Sequence, residues 1–184
     1  MAKPLTKYSK RNYWRRKKYM FYKAIKNYHY VKLQITDLVE YSGNKIIFIS
    51  NNGNYANISD ILASCPDFKQ YRDLYVSMRI RGIAVQVIPC CNIADFVGGT
   101  AFIALLASNE NVDVASCQDS DHSLVMNPTQ FCSMYWKPSY PWSDSNDSSE
   151  SYGKIGLAIG NQTQQGGMRW TVRFVFYVLY KTNS

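Results

Sequence analysis

The chain has 184 residues, 46% of them hydrophobic and 15% aromatic, which suits one domain with a packed core and excludes an intrinsically disordered protein. Its net charge of +8 is unevenly held: residues 1–36 carry eleven Lys or Arg and no acid, leaving ten bases against 13 acids, a balance of −3, in 37–184. No apolar run approaches the roughly 18 residues of a membrane span, and the basic start lacks the apolar segment of a secretory signal, which points to the cytosol or nucleus.

Residues 1–28 read as an arm. Like charges at this density repel one another, and such a block is a common form of nucleic-acid-binding tail. Its cations alternate with aromatics, among them Tyr8, Tyr19, Phe21 and Tyr28. Lys and Arg neutralise phosphates and release counterions, while aromatic faces accept unpaired bases at roughly 1–3 kcal/mol each. The expected nucleic-acid-binding set is Lys3, Lys7, Lys10, Arg11, Tyr13, Trp14, Arg15, Arg16, Lys17, Lys18, Tyr22, Lys23 and Lys26. That set suits single-stranded nucleic acid without sequence preference. Arg15, Arg16, Lys17 and Lys18 also read as a nuclear localisation signal. Trp14, Phe21, Ala24, Ile25 and Tyr28 fall on one helical face, and a basic helix with an apolar stripe can lie on an anionic membrane. The stripe is narrow and rich in Tyr, which ranks the membrane below nucleic acid.

Residues 29–184 form the body. Val31, Leu33, Ile35, Val39 and Tyr41 alternate with Lys32, Gln34, Thr36 and Glu40, the pattern of a half-buried strand over 30–41. A turn at 41–44 leads into a strand over 45–50, and Asn51-Asn52-Gly53-Asn54 turns again. Ser59 and Asp60 are placed to cap a short helix. Pro66-Asp67 can open another, in which Phe68, Tyr71, Leu74, Tyr75 and Met78 repeat at helical spacing. Alternation returns over 79–89 with Arg79, Arg81, Ile83, Val85 and Val87 on one face, and the Arg pair is expected to be wet, or to face nucleic acid or a neighbour.

Residues 92–99 read as loop, and Thr100 to Ala107 as a central strand, apolar on both faces. Residues 108–122 hold Glu110, Asp113, Asp119 and Asp121 without a base and read as an exposed acidic loop. After Asn127-Pro128, strand resumes over 131–136; 143–151 is a long polar loop. Residues 154–160 alternate through Ile155, Leu157 and Ile159. After a turn at 162–167, Met168 to Lys181 is expected to be the longest strand. Trp170, Val172, Phe174, Phe176, Val178 and Tyr180 line one side of it, and Arg169, Thr171 and Arg173 give way to Val175, Tyr177 and Leu179 on the other. Seven or eight strands, a short helical insertion and no βαβ alternation indicate an all-β antiparallel sandwich or jelly roll.

Chemistry for catalysis is sparse. The chain has only His29 and His122, too few for a triad or a His-rich metal site. Cys65, Cys90, Cys91, Cys117 and Cys132 contain no CxxC pair and read as buried small hydrophobes. Gly98-Gly99 and Gly166-Gly167 lack the residues of a phosphate loop. No enzyme, cofactor or metal is expected.

The order of these elements resembles the capsid proteins of circovirus-like circular single-stranded DNA viruses, which replicate by rolling circle. The likeness rests on the arm with Arg15-Arg16-Lys17-Lys18, on Tyr71 through Arg79-Ile80-Arg81-Gly82-Ile83 to Val85, on Phe131 through Trp136-Lys137-Pro138, and on Trp170 to Val178. It implies an eight-stranded jelly roll of viral capsid type and an icosahedral shell of about sixty copies with the arm turned inwards onto the genome. Sixty copies of the +11 stretch 1–36 would neutralise on the order of 660 phosphates. The implied partners are identical subunits, single-stranded nucleic acid, host nuclear import factors and a cell-surface receptor, and the implied locations are the virion and the host nucleus. Two rivals remain: a nucleic-acid-binding β-domain that does not assemble, and a carbohydrate-binding jelly roll whose arm is only a targeting signal.

Overall fold

The computed structural model describes residues 28–42, 45–48, 53–90, 100–127, 129–144, 152–160 and 168–182. The expected arm residues up to Asn27, the loops expected at 92–99 and 162–167, most of that at 143–151, and Cys91 lie outside them. The expected strand over 30–41 is β1 (Tyr28–Ser42), followed by β2 (Lys45–Phe48) and β3 (Tyr55–Asn57). Two helices come next, α1 (Ile58–Ala63) and α2 (Phe68–Leu74), then β4 (Ser77–Pro89) and β5 (Thr100–Leu106). Helix α3 (Val114–Asp119), β6 (Ser123–Met126), β7 (Cys132–Trp136), β8 (Ser143–Asp144), β9 (Lys154–Gly160) and β10 (Met168–Lys181) complete the order.

The strands form two sheets in which every pairing is antiparallel. One runs β2-β1-β10-β4-β7 with β8 added beside β4, and the other runs β3-β9-β5-β6. Without β2 and β8, four strands in each sheet remain, and the chain passes back and forth between the sheets. This is the expected eight-stranded jelly roll.

Strand β10 organises the larger sheet because it is flanked by the two other long strands. Its pairing with β1 runs from Tyr28↔Lys181 to Tyr41↔Met168, and its pairing with β4 from Trp170↔Pro89 to Lys181↔Ser77. Trp170, Val172, Phe174, Phe176, Val178 and Tyr180 all point inwards and are fully buried. They pack with Val31 and Leu33 of β1 and with Ile103, Ile155 and Leu157 of the smaller sheet. Each such side chain contributes about 1.5–3 kcal/mol. Strand β1, at 15 residues, exceeds β10, at 14, so the expectation that β10 is the longest is corrected by one residue. Tyr28, the last residue of the expected arm, is the first of β1.

Strand β4 departs from its expected pattern. The register slips between Tyr177, opposite Gly82, and Val178, opposite Ile80, so Arg81 has no partner. Such a bulge reverses the inward face of a strand. Met78 and Ile80 therefore share the core with Ile83, Val85 and Val87, while Arg79 and Arg81 lie on the outside instead of beside Ile83.

The helices also differ in detail from expectation. The N-cap position of α1 is Asn57, not Ser59 or Asp60; its side chain caps no helix amide, and Asn57 Nδ2 donates instead to Asp60 Oδ2 at 2.9 Å in the first turn. Helix α2 stops at Leu74 because Tyr75 is extended, with φ −128 and ψ 142. Leu74 is consequently exposed, and Met78 belongs to β4. Tyr71 and Tyr75 instead stack with Tyr180 at 5.5 and 5.2 Å and with His29 at 5.8 Å, which ties the start of β1 to the end of β10.

The segment expected as an acidic loop contains α3, opened by Asp113, whose Oδ1 accepts the Ser116 amide at 2.7 Å. Cys117 of α3 packs with Phe102, Ala104, Leu106 and Ala158 on the outer side of the smaller sheet. Strand β9 is therefore buried on both faces from Lys154 to Ala158 and does not alternate. Burial pushes the Cys65 thiol up to about 12, with Asp67 adding to it, and the Cys117 thiol up to about 11, with Asp113 adding to it. Cys90, expected to be buried, is exposed, and Cys132 is half-buried. Both sheets end on short strands: β2 and β7 have 4 and 5 residues, β3 and β6 have 3 and 4.

Candidate nucleic-acid interface

The thirteen residues singled out in the arm, from Lys3 to Lys26, lie outside the described residues. Within the body, the outer face of the larger sheet gathers what nucleic acid requires. Side chains on this face alternate with the core residues, so the cross-strand neighbours are set by register. Lys32 of β1 stands opposite Tyr177 of β10, which stands opposite Gly82 of β4; Tyr30 is opposite Leu179, and Leu179 opposite Arg79. Because β7 borders β4, Tyr135 joins this face in the adjoining row, beside Ala84, which stands opposite Val175.

Three tyrosines form a floor. The rings of Tyr30 and Tyr177 stack with centroids 6.2 Å apart at 27°, and Tyr135 meets Tyr177 edge-on at 5.7 Å. Beside them Tyr30, Arg79, Arg81, Tyr135 and Lys137 line an open cleft of about 430 Å³. Partial burial and the neighbouring Tyr135 and Tyr177 raise the Tyr30 hydroxyl above its ordinary 10.0, against the pull of Arg81. The arrangement can hold a phosphate between cations and present ring faces to a base.

Past the cleft, the chain after β7 is held by a small polar network. The chain leaving β7 passes Tyr140, whose hydroxyl donates to the Tyr152 carbonyl, and Ser143, whose Oγ lies 2.6 Å from the Tyr152 hydroxyl and donates to the Met78 carbonyl at 3.3 Å. At the far end of the sheet, Arg169 Nε pairs with Glu40 Oε1 at 2.8 Å. That pair is exposed and contributes at most about 1 kcal/mol.

The smaller sheet has the opposite character. Its outer side is covered by α3 and its flanking loops, where Glu110, Asp113, Asp119 and Asp121 are exposed and no base occurs between 108 and 122. His122 is exposed among them, and its carbonyl accepts the Trp136 indole at 3.2 Å and the Leu105 amide at 3.1 Å. Among the described residues no cluster of His, Cys, Asp and Glu could hold a metal ion, and no helix is long and apolar enough to cross a membrane.

Of the cleft residues, Arg79 and Arg81 stand out in the sequence by their place in a strand. Tyr135 and Lys137 carried no such signal, because their role depends on the pairing of β7 with β4.

No family model and no curated protein matches the chain. The fold is similar to several solved structures. One is the giant freshwater prawn Macrobrachium rosenbergii nodavirus virus-like particle, with a TM-score of 0.58 and 11% identity over 85% of this chain and 95% of that one. Another is Cocksfoot mottle virus, with a TM-score of 0.57 and 11% identity over 85% and 97%. The BFDV capsid protein, solved as a decamer, has a TM-score of 0.52 and 11% identity over 84% and 99%. At such identities the likeness is one of fold, and the fold is the jelly roll of viral capsid type.

Proposed function

We propose that this chain is a viral shell protein: copies of it close into a small icosahedral particle around single-stranded nucleic acid. The observation that carries the reading is the two-sheet roll, β1-β10-β4-β7 against β3-β9-β5-β6, in a fold that is similar over 84–85% of the chain to proteins solved as virus particles or capsid assemblies. The BFDV capsid protein, also solved as a 60-mer, supports a shell of that size; the circovirus-like lineage and its single-stranded DNA rest on the resemblance of the sequence segments. In this reading residues 1–28 are the packaging arm and 29–184 the shell domain. Lys3, Lys7, Lys10, Arg11, Arg15, Arg16, Lys17, Lys18, Lys23 and Lys26 neutralise phosphates, and Tyr13, Trp14 and Tyr22 take bases. Arg15 to Lys18 serve also as the nuclear address. The uneven charge supports this, since cations concentrate in the arm and acids in the body.

Expressed full-length protein is expected to elute and sediment as a particle of about 1.3 MDa, about sixty copies of the 21.2 kDa chain, visible as rings in negative stain and carrying nucleic acid. A monomer at every salt concentration and pH would overturn the shell and favour a non-assembling nucleic-acid-binding domain. Particles free of nucleic acid would overturn the packaging role.

A further inference from the structure

We propose that the cleft between Tyr30, Tyr135 and the Arg79–Arg81 segment is a nucleotide site for single-stranded nucleic acid, distinct from the arm. It rests on the packaging reading and adds a second contact, placed on the rigid sheet.

Charge is the first argument. Arg79, Arg81 and Lys137 converge on one cleft that no Asp or Glu lines. None of the three makes an ion pair among the described residues. Arg79 Nε is buried without a hydrogen-bond partner. A buried donor left unmade is costly, and Arg79 carries that cost at the wall of the cleft.

The aromatic floor is the second. Tyr30 is 58% exposed and Tyr135 49% exposed, although a polar side chain would serve equally at either outward-facing position. Their contacts with Tyr177 bias the rings towards these orientations, so less entropy is lost when a base stacks on them than on a free side chain. A volume of about 430 Å³ is within the range of small-ligand sites. The acidic segment of a second copy, with Glu110, Asp113, Asp119 and Asp121, has the charge to enter the same cleft. Exposed ring faces favour a nucleobase over a carboxylate, and that docking is an outcome of the test.

The test uses the full-length particle bound to a bromodeoxyuridine-substituted single-stranded oligonucleotide. Ultraviolet cross-linking and peptide mapping are expected to place adducts on Tyr30, Tyr135 or Tyr177, and a duplex of the same sequence should not compete for them. Adducts confined to residues 1–27, or equal competition by the duplex, would overturn the site. Cross-links between Arg81 or Lys137 and the 109–121 acids of a neighbour, in place of nucleotide adducts, would also overturn it.

The exposed pair Arg81→Gln and Lys137→Gln, combined with Arg79→Gln, should lower the slope of log affinity against log salt by about 2, at 0.7 per phosphate lost. An unchanged slope in a folded variant would speak against the site. Tyr135→Ala should weaken binding about 5- to 150-fold. With Arg15, Arg16, Lys17 and Lys18 all changed to Ala, adducts in the cleft should persist. If they persist while no particle forms in the wild type, the shell reading fails and the cleft stands.

Discussion

The ring of Tyr135 on β7 lies against Gly82 on β4, so closely that a Cβ at Gly82 would fall 2.7 Å from two of its carbons. Gly82→Ala should displace the ring. Because Tyr135 is half exposed and can swing towards solvent, the expected cost is about 1 kcal/mol, the low end of overpacking. It would be read as a lower denaturant midpoint with an unchanged slope; a midpoint equal to the wild type would show that the ring is not seated there.

Gly153 meets a harder constraint. Its φ is +85, and an added Cβ would sit 2.5 Å from the Leu106 backbone oxygen, which cannot swing away. Its own carbonyl accepts the Ile58 amide at 3.1 Å. Gly153→Ala is expected to cost more than Gly82→Ala, at least about 1–3 kcal/mol, by the same denaturant measurement. The reverse order would contradict the backbone argument.

Neighbouring residues of β10 should respond oppositely. Phe174 is fully buried against Phe48, with ring centroids 6.3 Å apart, whereas Arg173 is exposed. Phe174→Ala is expected to cost about 3–5 kcal/mol, and Arg173→Ala to stay within about 0.5 kcal/mol. Equal effects would mean that the inward and outward faces of β10 are misassigned.

High pH should unfold the body. The Cys65 and Cys117 thiols are pushed up from 9.0 to about 12 and about 11 by burial, and the Tyr140 hydroxyl from 10.0 to about 12 by burial and Tyr152. These groups lose their protons more readily in the unfolded chain, so their stabilising contribution is whole below pH 9 and declines as pH rises through 9 to 12. Circular dichroism should hold steady to about pH 9 and then fall cooperatively, with tyrosinate absorbance rising in step. A fold unchanged at pH 12 would refute this.

The arm should set the salt response. Changing Arg15, Arg16, Lys17 and Lys18 to Ala is expected to reduce the slope of log affinity against log salt by about 3, at 0.7 per phosphate on a single strand. Filter binding from low to moderate salt measures it. An unchanged slope would remove these four residues from the interface.

Much of the fold was legible because side-chain period reports burial directly. Trp170 to Tyr180 and Val31 to Val39 alternate as half-covered strands must, and both lie where the pattern puts them. What was not legible depended on a second element. Ile155 and Leu157 look like one face of a half-exposed strand, but α3 covers the other, and its six residues, Val114 to Asp119, set among acids, are too short a run to show a packing face in sequence. Arg81 shares sequence parity with Ile83, and only the bulge opposite Tyr177 and Val178 turns it outward. Ser59 and Asp60 are sound capping residues, yet Asn57 starts the helix because β3 delivers the chain there. The cleft was half visible: its arginines stood out, while Tyr135 and Lys137 join them only through the register of β7 on β4.

The border strands β3, β6 and β7 are brief, so along those edges a flanking molecule would find only three to five residues on which to extend a ladder. The border on β1 is different: β2 covers it only from Val39 to Ser42, and among the described residues no strand lies beside the stretch from Tyr28 to Leu38 on that side. Main chain that zips onto this molecule has that one long seam to use, and blocking it with a proline would close the seam while leaving every other edge as it is.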